Sequence, residues 1–164
     1  MNAIQEIDDK LRLLGVKPFQ RAVLRPLSDG EVGQIETLLG KALPAEYSHF
    51  LRAYGETGFS EEVSFAIEPG DGLYEFGYFY GFDSIKDGIE SPPDTLPDSM
   101  FPIGDEGLGN LYCLGFSGEQ TGKVYYWDQN VGWDEEAEAE DKLPPPIRRI
   151  SNSFAEFISS LTAG

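Results

Sequence analysis

Apolar residues change their period along this chain. In its first third they recur at helical spacing: Ile4, Ile7, Leu11 and Leu14 share one stripe and Gly15 follows as a stop, which predicts an amphipathic helix over residues 2–14. Ser28 followed three residues later by Glu31 reads as a capping box, with Leu27 and Val32 placed as a hydrophobic staple. Val32, Ile35, Leu38 and Leu39 then form a second stripe, ended by Gly40. A third helix is predicted from Pro44, whose missing N–H has no helical partner at a first position, to just before Gly55, with Tyr47, Phe50, Leu51 and Tyr54 as its buried face. Val16 to Pro26, with two prolines and the cations Lys17, Arg21 and Arg25, reads as an irregular connection whose bases balance acids elsewhere.

After Gly55 the period falls to two. Val63–Ile67 and Leu73–Tyr80 alternate on either side of Pro69-Gly70-Asp71-Gly72, which predicts two strands of one antiparallel sheet. Asp83-Ser84 is placed to cap a short helix through Ile85–Ile89, and Pro92, Pro93 and Pro97 mark an irregular crossing. Leu111–Phe116 and Lys123–Trp127 read as an antiparallel hairpin around the polar loop Ser117–Gly122, preceded by a glycine-rich turn. A last helix is capped within Ser151–Ser153 and aligns Phe154, Phe157, Ile158 and Leu161 to dock on the sheet. Helices first, then strands, then a closing helix predict an α+β single domain with a mainly antiparallel sheet of four to six strands.

Composition narrows this picture. A chain of 164 residues, 40% hydrophobic and 13% aromatic, can bury one core, so one domain is expected. No run approaches the roughly 20 apolar residues of a membrane helix, and the start MNAIQEIDDK lacks a secretory pattern, so a cytoplasmic, membrane-free protein is the default. The single cysteine, Cys113, lies inside a predicted strand and reads as a buried structural thiol.

Charge changes the picture more. From Tyr54 to Asp141 there are 21 acids against Lys86 and Lys123, a balance of −19, whereas the flanks together come to +2. Such a field repels nucleic acid and speeds encounter with basic partners, although solubility alone is its simplest use. The aromatic run Tyr74, Phe76, Tyr78, Phe79, Tyr80 and Phe82 lacks the cationic groove that a base-stacking platform needs and is assigned to core packing.

Candidate chemistry is sparse. His49 stands off the apolar stripe with no partner at ligand spacing and reads as a surface residue. Gly104–Asn110 has neither a phosphate-loop ending nor calcium-loop spacing, and reads as a tight turn that needs glycines. Adjacent Asp105 and Glu106 lack the facing wall that a glycosidase carboxylate pair requires. No catalytic, cofactor-binding or metal-ligating residues are assigned. Asp134, Glu135, Glu136, Glu138, Glu140 and Asp141, six acids in eight residues, offer the most obvious place to meet a cationic partner, with Trp133 either an aromatic anchor or a core residue.

Four pieces in order resemble the SUKH superfamily, which includes the yeast Smi/Knr-type cell-wall regulators and many bacterial immunity proteins. They are the helix Val32–Leu39 leading into Leu43-Pro44-Ala45-Glu46-Tyr47 with Phe50-Leu51, then Phe101-Pro102-Ile103-Gly104-Asp105 with Gly109-Asn110, then Val124-Tyr125-Tyr126-Trp127-Asp128, and finally Ser153-Phe154-Ala155-Glu156-Phe157. The resemblance spans roughly residues 28–161, leaving helix 2–14 as an extension, and departs at Tyr54-Gly55-Glu56-Thr57-Gly58 and in the acidic insertion before the last helix. It implies an α+β domain in which Leu43, Pro44, Tyr47, Phe50, Gly104, Asp105, Gly109, Asn110, Val124, Trp127, Asp128 and Phe154 determine the fold rather than a reaction.

For bacterial members the resemblance implies a non-enzymatic immunity protein, monomeric or weakly dimeric, that neutralises a cognate toxin domain, often a nuclease or deaminase. A nuclease must present Lys and Arg to phosphates, so an anionic surface of matching shape can occupy its groove. The alternatives are a regulatory binding module like the yeast members and an enzyme acting through Asp105 and Glu106.

Overall fold

The computed structural model describes residues 2–19, 22–66, 73–129 and 147–163. Local capping chemistry sets the helix starts. Helix α1 (Ala3–Leu13) begins after Asn2, whose side chain accepts the Gln5 N–H at 2.8 Å. Helix α2 (Asp29–Leu39) carries the predicted capping box: the Ser28 hydroxyl accepts the Glu31 N–H at 3.2 Å, and the Glu31 carboxylate accepts the Ser28 N–H at 3.0 Å. Arg25 closes over that box, donating to Glu31 Oε2 at 2.8 Å. Helix α3 (Ala45–Ala53) starts one residue after Pro44, which takes the capping position instead of the first helical one. Helix α4 (Phe82–Glu90) starts earlier than expected, after Gly81, so Asp83 sits in its first turn, where the helix dipole favours a negative charge. Helix α5 (Phe154–Ser160) is capped by Ser153, whose hydroxyl accepts the Glu156 N–H at 3.1 Å.

Among the described residues the strands are β1 (Val16–Pro18), β2 (Thr57–Phe59), β3 (Val63–Ala66), β4 (Leu73–Glu75), β5 (Tyr78–Phe79), β6 (Met100–Asp105), β7 (Leu111–Gly115), β8 (Val124–Trp127), β9 (Ile147–Ser151) and β10 (Thr162–Ala163). Seven of them form one antiparallel sheet in the order β1-β2-β5-β6-β7-β8-β9, and β10-β3-β4 form a second. The predicted hairpin is β7–β8, with Tyr112 opposite Tyr126 and Cys113 opposite Tyr125. The fold is thus α+β, as expected, with a larger sheet than the four to six strands anticipated. No helix among the described residues is long and apolar enough to cross a membrane.

Three expectations need correction. The supposed connection after α1 includes β1, an edge strand whose Val16 pairs with Phe59. The run Leu73–Tyr80 is two strands in two sheets, because Gly77 passes so close to β6 that a Cβ there would overlap the Asp105 carbonyl oxygen and the Glu106 backbone. The turn read over Gly104–Asn110 begins later than expected, because Gly104 and Asp105 belong to β6, the middle strand of the large sheet, despite Pro102 and a register shift between Pro102 and Gly104. The turn Pro69-Gly70-Asp71-Gly72, Ile67 and the prolines Pro144 to Pro146 lie outside the described residues.

The large sheet has two buried faces. On one, Tyr47, Phe50, Phe79, Phe101, Tyr112, Phe154 and Phe157 build an aromatic core under the helices. On the other, Leu96, Met100, Cys113, Tyr125 and Ile147 form a smaller cluster beneath the crossing 91–99, and burial pushes the Cys113 thiol far up. The α5 docking face anticipated from the sequence is buried throughout: Phe154, Phe157, Ile158 and Leu161 are at most 1% exposed.

One core residue is less than optimal. The Tyr47 hydroxyl is fully buried and has no hydrogen-bond partner among the described residues. An unsatisfied buried hydroxyl costs roughly 1–3 kcal/mol, so Tyr47→Phe is expected to leave stability unchanged or raise it by about 1 kcal/mol in urea unfolding. A loss above about 1 kcal/mol would show that the hydroxyl is satisfied after all.

Candidate functional site

Register pairs gather several loops at one end of the large sheet. Tyr78 lies opposite Asp105, Asp105 opposite Leu111, Leu111 opposite Trp127, and Trp127 opposite Ile147. The β6–β7 turn, the start of β5, the end of β8 and the start of β9 therefore share this end.

Asp105 and Glu106 organise the turn. Asp105 Oδ1 accepts the Gly107 N–H at 2.7 Å, while Oδ2 accepts the hydroxyls of Tyr80 at 2.8 Å and Tyr78 at 3.1 Å. Glu106 accepts from the Asn110 amide and, at 3.3 Å, from the Tyr126 hydroxyl. Asn110 Oδ1 accepts the Gln129 N–H at 2.9 Å, and the Gln129 amide donates to the Leu108 carbonyl. Gly107 and Gly109, with φ of 96° and 100°, supply the left-handed backbone that lets Leu108 stand at the tip, 78% exposed. Both carboxylates are thus held as acceptors for neighbouring donors, which is the geometry of a braced turn. Burial and the adjacent Asp105 charge push the Tyr78 hydroxyl up to about 12 and Tyr80 higher, so both phenols stay protonated donors.

Beside this end lies an open groove of about 400 Å³. Its floor comes from Tyr78, Tyr80, Pro102 and Leu111 on the sheet, and Ser84, Asp87, Gly88 and Ser91 of α4 and its end form a wall. Gly88 brings α4 close to β6, since a Cβ there would lie 3.2 Å from the Pro102 ring. The crossing 91–97 completes the rim and is pinned by Trp127, whose indole N–H donates to Thr95 Oγ1 at 2.9 Å. Core packing accounts fully for the buried Phe76 and Phe79, whereas Tyr78 and Tyr80 are half-buried: Tyr80 packs against the same core, and both tyrosines also line the groove. Their i, i+2 spacing, with Phe79 between, is the signal that places them together.

The surroundings are strongly anionic. From α4 to the residue after β6 the chain carries Asp83, Asp87, Glu90, Asp94, Asp98, Asp105 and Glu106 against one base, Lys86. Lys86 reaches Glu90 at 4.0 Å. Elsewhere three arginines pair with nearby acids: Arg12 with Asp9, Arg25 with Glu31, and Arg52 with Asp29.

His49 departs from the reading as a surface residue. It is half-buried between α1 and α3, where its Nε2 lies 2.9 Å from Asp8 Oδ1, and the same oxygen accepts the Tyr54 hydroxyl at 2.7 Å. Burial raises the Asp8 carboxyl, but the hydrogen bonds from His49 and Tyr54 and the charges of His49 and Arg12 outweigh it and hold the group below the usual carboxylate range. A depressed carboxyl stabilises the fold above its unfolded pKa and loses that contribution as pH falls through its folded value. Acid unfolding is thus expected to be less steep in Asp8→Asn than in the natural chain below about pH 4, near the unfolded carboxylate value, read from urea midpoints at pH 5 and pH 3. Equal slopes would remove this link from the acid response.

The expected partner residues Trp133, Asp134, Glu135, Glu136, Glu138, Glu140 and Asp141 lie outside the described residues, but the ends of their segment are the register partners Trp127 and Ile147. The resemblance residues divide into two groups. Leu43, Tyr47, Phe50, Val124 and Phe154 enter the core, and Pro44 caps α3. Asp105, Gly109, Asn110, Trp127 and Asp128 collect at the sheet end, and Gly104 allows close contact with β5, where a Cβ would overlap the Tyr78 carbonyl.

Comparison with known proteins covers this whole arrangement. The profile of the SMI1 / KNR4 family (SUKH-1) matches residues 26–160, from just before the α2 capping box to the last residue of α5. The SPbeta prophage-derived uncharacterized protein YokK of Bacillus subtilis (strain 168) is 26% identical over 151 residues, covering 80% of this chain and 72% of that protein. With α2 to α5, the strands from β2 to β9 and the braced sheet end all inside the matched stretch, the chain belongs to the SMI1 / KNR4 family (SUKH-1).

Proposed function

We propose that this protein is a cytoplasmic immunity protein that binds and neutralises a cognate bacterial toxin domain, a basic nuclease or another toxin acting on nucleic acid, without catalysing a reaction itself. The observation that carries the reading is the one-sided charge. Seven acids from Asp83 to Glu106 stand against a single lysine, and the segment that carries the acidic run 134–141 joins Trp127 to Ile147, register partners at the sheet end of Asp105. A nuclease groove is cationic because it must hold phosphates, so a braced anionic surface is suited to cover it. Trp133, Asp134, Glu135, Glu136, Glu138, Glu140 and Asp141 form the contact, with the tryptophan as anchor and the carboxylates as steering charge. The family and the prophage origin in the name of the relative YokK support the same reading.

The test is co-expression. The variable C-terminal domain of a secreted toxin encoded beside this gene is expressed with and without this chain, and survival is scored. Rescue by a 1:1 complex whose association slows steeply with salt is the expected result. Failure to rescue against every neighbouring toxin domain, with weak binding to several host proteins instead, would replace immunity with a regulatory role.

A further inference from the structure

We propose that the groove between α4 and the sheet receives an arginine side chain of the partner protein. The inference rests on the partner-binding reading above and specifies what that partner presents. At about 400 Å³ the groove is near the small end of ligand sites, room for one or two side chains instead of a large cofactor. Its lining fits an arginine in two parts. Pro93, Pro102 and Leu111 give the apolar bed that a long aliphatic stem covers. Asp87 and the phenols of Tyr78 and Tyr80 give acceptors for the head.

The tyrosines are prepared for this role by Asp105. Each donates its hydroxyl proton to Asp105 Oδ2, at 3.1 and 2.8 Å, so each phenol oxygen keeps its lone pairs for a further donor. Phe19 stacks on Tyr78 at 3.9 Å between centroids and 8° between planes, fixing that ring. A guanidinium has five N–H donors in a rigid plane and can engage several fixed acceptors together, whereas a lysine ammonium acts as a point charge. Among the described lining residues Asp87 is the charged one, and no base competes for it within the groove. A positive occupant is therefore matched and a carboxylate repelled.

The probe is the blocked tripeptide acetyl-Gly-Arg-Gly-amide, titrated into ¹⁵N-labelled full-length protein at low salt. Its neutral analogue with citrulline in place of arginine is the control. Saturable amide shifts concentrated at Tyr78, Asp87, Gly88 and Leu111 are expected with arginine and not with citrulline. Asp87→Asn should weaken the arginine peptide by about three- to fivefold, the size of a solvent-accessible ion pair, while Asp87→Glu retains most of it. Shifts spread over the whole acidic surface, equal binding of citrulline, or wild-type binding by a folded Asp87→Asn would each overturn the proposal. Affinity for the rescued toxin domain separates the two ideas: an unchanged Kd in Asp87→Asn, with neutralisation retained, removes the groove from the complex while leaving the immunity reading intact.

Discussion

Phe157→Ala is expected to lower the unfolding free energy by about 3–5 kcal/mol, the usual cost of emptying a large aromatic site in a packed core. Helix α5 has seven residues, too few to hold together on helical propensity alone, so its stability comes from what it buries. Phe157 meets Phe65 of the small sheet at 5.7 Å between ring centroids, Phe76 at 5.9 Å, and Phe79 and Tyr112 of the large sheet at 6.3 Å each. One ring thus bridges both sheets. Urea unfolding measures the loss, and Phe157→Leu, which keeps most of the volume, should cost less than half as much. A loss below about 1 kcal/mol in the alanine variant would mean that the sheets hold together without this contact.

Replacing all six acids of the run 134–141 by their amides is expected to slow association with a basic toxin domain by roughly tenfold or more, within the 10–10³ range that steering fields supply. The dissociation rate should change far less, because steering charges at the rim of an interface act mainly before the complex forms. Stopped-flow rates at rising salt check this. The natural and amide chains should converge as the Debye length shrinks toward about 3 Å near 1 M salt. Trp133→Ala makes the complementary prediction of faster dissociation, as loss of an aromatic anchor does. Equal association rates for the two chains at low salt would take steering out of the mechanism.

The helices were readable because their signals are local. The Ser28–Glu31 box, the stripe Tyr47, Phe50, Leu51 and the Ser153 cap each depend on residues within one or two turns, and each appears where expected. The sheet was less readable because pairing is decided at long range. Nothing near Leu73–Tyr80 announces that its two halves belong to different sheets; the reason is Gly77 meeting Asp105, 28 residues away. Strand β6 was hidden by Pro102, and β9 by having only five residues with two arginines among them. The acidic region proposed as the partner contact was legible in the sequence, yet the groove was not. Its floor and wall come from four separate elements, and the roles of Tyr78 and Tyr80 depend on a carboxylate 25 or more residues further on.

The pairing of Trp127 with Ile147 has an evolutionary corollary. Both ends of the intervening segment are held about 5 Å apart by the ladder itself, so its length and wording are decoupled from folding. Doubling such a loop costs only about 0.6 kcal/mol of closure entropy. On the immunity reading proposed above, the ladder is a socket for interchangeable cassettes: a chimera carrying another family member's insert between the same two positions is expected to fold as before while changing allegiance.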